Sequence, residues 1–452
     1  MNNINIKKVI QIPDEVLFII ATLEENGHEA YAVGGCVRDA ILDIEPKDWD
    51  ICTSALPEQM IECFEGQRLI ETGLQHGTIA LLIDDKPFEI TTYRIDEISG
   101  NNKYLRESEL INSLKEDLSR RDFTINAMAY NHKVGIVDFF GGVSDINDQI
   151  IRCVGNPDER FQEDPLRILR ALRFASTLNF NIEAKTSSAI YRNKELLQNI
   201  AVERISVELN KLLVGPKVGN ILLHFPSVIS EIISEITELI GFEQKNPYHY
   251  LNVWQHTIMS ITKAPADVVL RLTMLFHDIA KPRCYVEIDG IGHFYGHSKM
   301  SMDMAKEILL RLKYDNDTIE AVTQLILYHD ADIHPCRKNI KGWLNRIGEE
   351  RLRQLVEVKK ADTMAQSKRY RLGKLTLLDN ILSIMDEIIE QQQCFSLKDL
   401  AVNGRDLIAI GILEGAEVGK VLNHLMDMVV DESVENDKVK LLQIVHKEFV
   451  LK

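Results

Sequence analysis

The sequence predicts an α+β protein: an N-terminal mixed α/β head followed by an all-helical remainder. Three observations carry this expectation. From about residue 15 to 150, short apolar runs of strand length alternate with amphipathic helices. From about residue 155 the strand signals stop and helical periodicity continues. Seven of the 13 histidines then fall between positions 249 and 334, which marks a separate unit inside the helical part. These changes divide the chain into segments 1–150, 151–240, 241–367 and 368–452.

In the head, a helix over Glu15–Asn26 leads into an apolar strand at Ala30–Val33. Helix Val37–Leu42 follows a Gly-Gly turn. Strands are expected at Trp49–Cys52, Thr78–Ile83 and Phe88–Tyr93, and a helix at Thr124–Ala129. Further on, Phe161–Ala175 and Glu203–Val214 are helical by periodicity. The last segment reads as amphipathic helix with a turn at Val402-Asn-Gly-Arg405.

The bulk numbers bound the setting. A chain 45% hydrophobic and 27% charged has an ordinary soluble composition. No run of about 18 apolar residues occurs, so no membrane span or membrane partner is expected. The N-terminus lacks the apolar core of a signal peptide. Seven scattered cysteines without a C-x-x-C pair point to a reducing cytoplasm. A net charge of −16 argues, taken alone, against a polyanionic partner. Net charge is a sum, however, and Arg120, Arg121, Arg167, Arg170 and Arg173 are candidates for a local basic patch.

The most informative stretch is Ala32-Val-Gly-Gly-Cys-Val-Arg-Asp39, followed nine residues on by Asp48-Trp-Asp50. Gly34 and Gly35 open a turn where backbone approaches a phosphate, and Arg38 adds a cation. Asp48 and Asp50, one residue apart on a strand, share a face at about 7 Å. That spacing suits two Mg²⁺ ions held against a triphosphate, one lowering the pKa of an attacking hydroxyl and one neutralising the departing pyrophosphate. Glu89, on a later strand, is either a third carboxylate of that cluster or an exposed strand residue. Arg121 fits a triphosphate contact, with Asp122 as cap or orienting group.

Glu163-Asp-Pro-Leu-Arg-Ile-Leu-Arg-Ala-Leu-Arg173 is the second rich segment. Asp164 and Arg167, three apart, share a helix face. A carboxylate accepting from an exocyclic amine beside a guanidinium donating to a ring nitrogen matches cytosine and adenine. Uracil and guanine present the reverse order and leave buried groups unpaired. A stride of three drifts about 60° per step, so Arg173 points away from Asp164, toward phosphate, RNA or an acid. In the third segment His256, the dyad His277-Asp278 and Asp362 are expected to converge on one metal, and His297 and His329 to extend the site to a second. Imidazole and carboxylate suit Mn, Ni, Fe, Zn or Mg.

Gly-Gly-x-x-Arg-Asp, Asp-x-Asp, Glu-Ile-Thr-Thr-Tyr-Arg, Arg-Arg-Asp-Phe-Thr-x-Asn-Ala-Met and Glu-Asp-x-x-Arg occur here in order. In these motifs the chain resembles the class II tRNA nucleotidyltransferases, the CCA-adding enzymes of the polymerase β superfamily. The resemblance covers about residues 28–215 and resumes near Leu400–Arg405, while 250–365 resembles an HD phosphohydrolase domain of the kind some bacterial members carry. It implies a nucleotidyltransferase head (1–150), a helical neck (151–240), an HD body (241–367) and a tRNA-binding tail (368–452). It places Gly35, Arg38, Arg121, Asp164, Arg167, Arg170 and Arg173 on CTP/ATP positions and Asp48 and Asp50 on Mg²⁺ positions. The implied activity is template-independent addition of C, C and A to the 3′ end of tRNA. The family's flexible loop corresponds to about Ile95–Glu116; its length favours full CCA addition, although it lacks an Arg-Arg-Pro. A poly(A) polymerase or a CC-only or A-only adding enzyme shares the head motifs. A metal phosphohydrolase or nucleotide-binding sensor with a vestigial head is the alternative of another class, opposed by the intact Asp48/Asp50 pair.

Overall fold

In helix Asp14–Glu25, Val16, Ile19, Ile20 and Leu23 recur at helical spacing and are all buried. That face packs on strand β1 (Ala30–Val33). The computed structural model to which they belong describes residues 9–70, 74, 77–93, 113–391, 393 and 395–450. The chain divides into two units, 1–217 with 227–232 and 218–226 with 233–452. Arg94 and most of the expected flexible loop lie outside the described residues.

The first unit is built on a seven-stranded sheet. Its further strands are β2 (Ile51–Thr53), β3 (Arg68–Ile70), β4 (Thr78–Ile83), β5 (Lys86–Thr92), β6 (Met128–Asn131) and β7 (Gly135–Asp138). The order is β3-β4-β5-β2-β1-β6-β7. β2 and β5 are parallel and every other neighbouring pair is antiparallel. Asp84 and Asp85, at φ +51° and +60°, make the β4–β5 turn, the left-handed pair that matches strand twist. The pairing Ile51↔Ile90 has a consequence for chemistry, because it sets Asp50 alongside Glu89.

Several expected elements are revised. Asp48 and Asp50 precede β2 rather than lie in it, yet they keep strand alternation: Trp49 between them is buried and both aspartates are exposed. The helix expected at Thr124–Ala129 is a single 3₁₀ turn, Thr124–Asn126, that runs into β6. Asn126 is tied by its side chain to Arg38 and Asp122, and the backbone from Met128 onward pairs with β1 and β7. The helix expected over Phe161–Ala175 is two helices, Pro157–Glu163 and Leu166–Thr177. Pro165 forces the residue before it out of helical geometry, and Asp164 takes φ −141°, ψ 97°. Helices Ala184–Asn193 and Val202–Leu213 complete the unit.

The second unit is helical, with helices Val253–Lys263, Val268–Phe276, His297–Arg311, Asn316–Tyr328 and Glu349–Ala365 surrounding the histidine cluster. It is not purely helical. Tyr285–Ile288 and Ile291–Phe294 pair as a hairpin across Asp289-Gly290, at φ +50° and +77°. After the long helix Lys368–Glu390, the C-terminal helices close on a core of their own that includes Leu407, Val421, Leu425, Leu441 and Val445.

Candidate active site and a histidine–aspartate cluster

The Gly-Gly turn connects β1 to helix Gly35–Ile41. Gly34 sits at φ +84°, and a Cβ there would lie 2.9 Å from Nη1 of Arg121, so the turn and Arg121 are packed against each other. The Gly34 amide donates to the Met128 carbonyl at 3.1 Å. Arg38, nearly buried, donates from Nη1 to Asn126 Oδ1 (2.6 Å) and from Nε to Asp39 (2.9 Å). Asn126 in turn donates to Asp122 Oδ1 (3.0 Å), whose Oδ2 takes both Nε (2.8 Å) and Nη2 (2.6 Å) of Arg170. A continuous hydrogen-bonded chain, Arg38–Asn126–Asp122–Arg170, thus joins helix Gly35–Ile41 to helix Leu166–Thr177.

These groups line one cavity of about 570 Å³. It brings together Gly35, Arg38, Asp48, Asp50, Arg121, Asp164, Arg167, Arg170 and Arg173, nine of the residues singled out in the sequence. Glu89 stands outside that lining, beside Asp50. Loss of hydration raises the Asp50 carboxyl above its ordinary value; Arg121 opposes the rise, and Glu89 and Asp48 add to it. Among the described residues, the acid and histidine groups that converge within 4.8 Å in threes lie in the second unit, so Glu89 is a looser neighbour of the Asp48/Asp50 pair.

Asp164 and Arg167 both line the cavity, and each is engaged by other groups there. Arg167 donates to Glu163 Oε2 (2.8 Å) and to the Arg120 carbonyl (3.0 Å). Asp164 accepts from the Leu166 amide at 3.1 Å and pairs with Arg204 at 3.1 Å. Arg173 finds an acid: Glu208 Oε2 lies 2.8 Å from its Nε. Sequence reasoning missed Glu208, Asp117 and Arg204. Asp117 pairs with both Arg120 (2.9 Å) and Arg121 (3.4 Å), at the i+3 and i+4 spacing that was its only sequence signal. Glu208 and Arg204 sit on helix Val202–Leu213, more than 30 residues away, and carried none.

The second unit holds the other cluster. His256 Nε2 lies 2.9 Å from Asp362 Oδ1 and 3.4 Å from Asp278 Oδ2, with His277 Nε2 3.1 Å from that same oxygen. On the other side of Asp278, Oδ1 faces His297 Nε2 (3.4 Å) and His329 Nε2 (3.8 Å). One buried carboxylate therefore stands between two groups of imidazoles. All six expected residues converge. His277, His297 and His329 direct Nδ1 to the carbonyls of Met274, Phe294 and Ile326, which leaves Nε2 facing Asp278. Lys281 Nζ also pairs with Asp278 Oδ2, at 2.7 Å. Burial holds His329 down to about 3, so it is neutral, whereas in His277 the Asp278 and Asp362 charges outweigh burial and raise it.

Comparison with known proteins fits this geometry. Residues 30–152 match the Poly A polymerase head domain, 179–224 the probable RNA and SrmB-binding site of polymerase A, and 292–445 a putative tRNA nucleotidyltransferase domain 2. The CCA-adding enzyme of Lactobacillus helveticus is 33% identical over 441 residues, covering 95% of this chain and 96% of that one. That of Bacillus cytotoxicus is 50% identical over 198 residues, 44% of this chain and 49% of its own. The Bacillus stearothermophilus CCA-adding enzyme in complex with CTP superposes with a TM-score of 0.69 at 26% identity, covering 98% of this chain and 100% of that one. The Thermotoga maritima enzyme complexed with tRNA shares the fold, with a TM-score of 0.59 at 20% identity over 98% of this chain and 97% of its own. With a relative at one-third identity along nearly the whole of both chains, and a head whose aspartates and arginines share one cavity, the chain belongs to the CCA-adding enzymes, the class II tRNA nucleotidyltransferases.

Proposed function

We propose that the cavity of the first unit adds C, C and A in turn to the 3′ end of tRNA from CTP and ATP, with Asp48 and Asp50 holding the catalytic metals. The observation that carries this reading is the meeting of both aspartates with seven arginines in one cavity. The carboxylates fit divalent cations: both are exposed, and the crowding of Asp48 and Glu89 on Asp50 is charge that a cation relieves. When bound, Mg²⁺ lowers the pKa of the tRNA 3′-hydroxyl and neutralises pyrophosphate. Arg38, Arg121, Arg170 and Arg173 hold the triphosphate so that its α-phosphate lies in line with that hydroxyl. Asp164 and Arg167 read the amine and ring nitrogen shared by cytosine and adenine. Segments 1–150, 151–240, 241–367 and 368–452 serve as head, neck, body and tail, and the free cysteines fit a cytoplasmic enzyme.

The test uses tRNAs ending before C, after C and after CC, with labelled CTP or ATP. The full enzyme should add the missing residues and stop. Asp50→Asn should lose at least a thousandfold in both C and A incorporation while tRNA binding changes little. Near-normal incorporation of either nucleotide by that variant overturns the reading.

A second reading concerns the body, favoured by Asp278 standing between two imidazole groups. His256, His277, Asp278 and Asp362 would hold one transition metal and His297 and His329 a second, with Asp278 shared. Bound metal would supply an activated water for phosphoester hydrolysis. The double variant His277→Ala, Asp278→Ala should lose bound metal and keep CCA addition. Wild-type protein that takes up no Mn, Ni, Fe or Mg on reconstitution would make the cluster a packed core.

A further inference from the structure

Three of the arginines that line the nucleotide cavity surround a single phenyl ring. The guanidinium carbon of Arg173 lies 3.7 Å from the centroid of Phe174, that of Arg38 5.0 Å and that of Arg170 5.4 Å. All are within the 6 Å or so over which a ring quadrupole attracts a cation. Phe174 is 4% exposed and itself lines the cavity. Its orientation is fixed by Phe123, edge to face at 5.8 Å and 80°.

Each cation has an acid beside it, Asp39 at Arg38, Asp122 at Arg170 and Glu208 at Arg173, and Glu208 also lies 3.9 Å from Arg170. Arg173 is the least well served. Its Nε and Glu208 Oε2 are close but not aligned for a hydrogen bond, and its guanidinium carbon sits over the ring at 3.7 Å from the centroid. Three like charges this near one another repel: burial acts most against the charge on Arg173, Glu208 opposes it, and Arg170 and Arg38 add to the burial effect. Further carboxylates would quiet that repulsion, but they would also compete with a triphosphate for the same donors. A phenyl face offers negative potential that no anionic ligand has to displace.

We infer that Phe174 is a positioning residue for the triphosphate: its ring keeps Arg38, Arg170 and Arg173 apart and turned toward the cavity. The inference rests on the nucleotidyl-transfer reading of that cavity. It makes the ring indifferent to the base and to the chemical step.

The full-length enzyme is assayed for CTP and ATP incorporation at saturating tRNA, with inorganic tripolyphosphate as a base-free competitor. Phe174→Leu keeps apolar bulk and removes the quadrupole. It should raise KM for CTP and ATP by the same factor, about 5- to 30-fold, and the tripolyphosphate inhibition constant with it. kcat should fall less than threefold, UTP and GTP should stay excluded, and Phe174→Tyr should restore KM to within threefold. Should the leucine variant fail to fold, Phe174→4-fluorophenylalanine and its di- and trifluoro analogues keep the ring shape and weaken its negative face stepwise. KM should then climb with each fluorine. A KM that stays flat across the fluorinated series, or a loss confined to kcat, overturns the inference. Asp50→Asn in the same assay separates the two claims: if it abolishes incorporation while the ring series is flat, the cavity reading stands and the role of Phe174 falls.

Discussion

Asp122→Asn takes one negative charge out of the arginine network and keeps the side chain's shape. Asp122 is 7% exposed. Its carboxylate accepts from Arg170 Nε (2.8 Å) and Nη2 (2.6 Å), from Asn126 Nδ2 (3.0 Å) and from the Phe123 amide (2.8 Å). Burial alone would raise this carboxyl, but Arg170, Asn126 and the Phe123 amide outweigh it and hold it below its ordinary value. An asparagine keeps one acceptor oxygen and turns an N–H₂ toward donors. Hydrogen bonds to a charged partner contribute ~1.5–3 kcal/mol. The Arg170 side chain is 34% exposed, so water offsets part of the loss, and ~2–3 kcal/mol is the expected net cost at pH 7. The folded carboxyl titrates below the unfolded value of about 3.9, so its contribution is complete above about pH 5 and is lost as pH falls through the folded value. The deficit of the variant should therefore shrink below about pH 4. Thermal unfolding and hydrogen exchange of helix Leu166–Thr177 at pH 7, 5 and 3.5 measure it. A deficit under about 0.5 kcal/mol at pH 7, or one that stays constant down to pH 3.5, refutes the argument.

Two further substitutions probe the cavity walls. Gly34→Ala forces a side chain into φ +84° and 2.9 Å from Arg121 Nη1, so kcat/KM for both nucleotides should fall at least about tenfold, with a lower melting temperature; values within threefold of wild type would show that the turn and Arg121 yield freely. Arg167→Ala should slow CTP and ATP by roughly 30- to 1000-fold, about 2–4 kcal/mol, and let UTP and GTP in; equal slowing with UTP and GTP still excluded would make Arg167 a phosphate or structural residue.

How far the sequence led depends on how local each signal was. β1 and β4 lie where apolar runs placed them, because their alternation and flanking turns are contained in a few residues. Asp48 and Asp50 were found through spacing, and the buried Trp49 between them explains why spacing sufficed. Met128 and Ala129 were read as the end of a helix because the strand character of Met128–Asn131 is conferred by β1 and β7, neither of which is local to it. The same limit hid Glu208: nothing near it in sequence tells that it faces Arg173 from another helix. The histidine cluster was legible because imidazole and carboxylate are scarce enough together that density alone marks them. Which oxygen of Asp278 faces which imidazoles came only from the fold.

The acid excess of the chain and its anionic ligands are reconciled by distance. A net charge of −16 is spread over the whole chain, and at physiological ionic strength exposed charges more than about 8 Å apart are largely screened from one another. An incoming triphosphate therefore responds to the cavity wall, where seven arginines stand against four aspartates. The buried acids around the cavity already have cationic partners. Asp117, Asp122 and Glu208 are buried, and each is committed to an arginine. Among the described residues, Asp48 and Asp50 are the carboxylates of the cavity wall for which no cationic partner stands in contact, which is the arrangement expected if their partners are cations that arrive with the nucleotide. Charge composition thus misleads here about the ligand, and the sign of the cavity decides it.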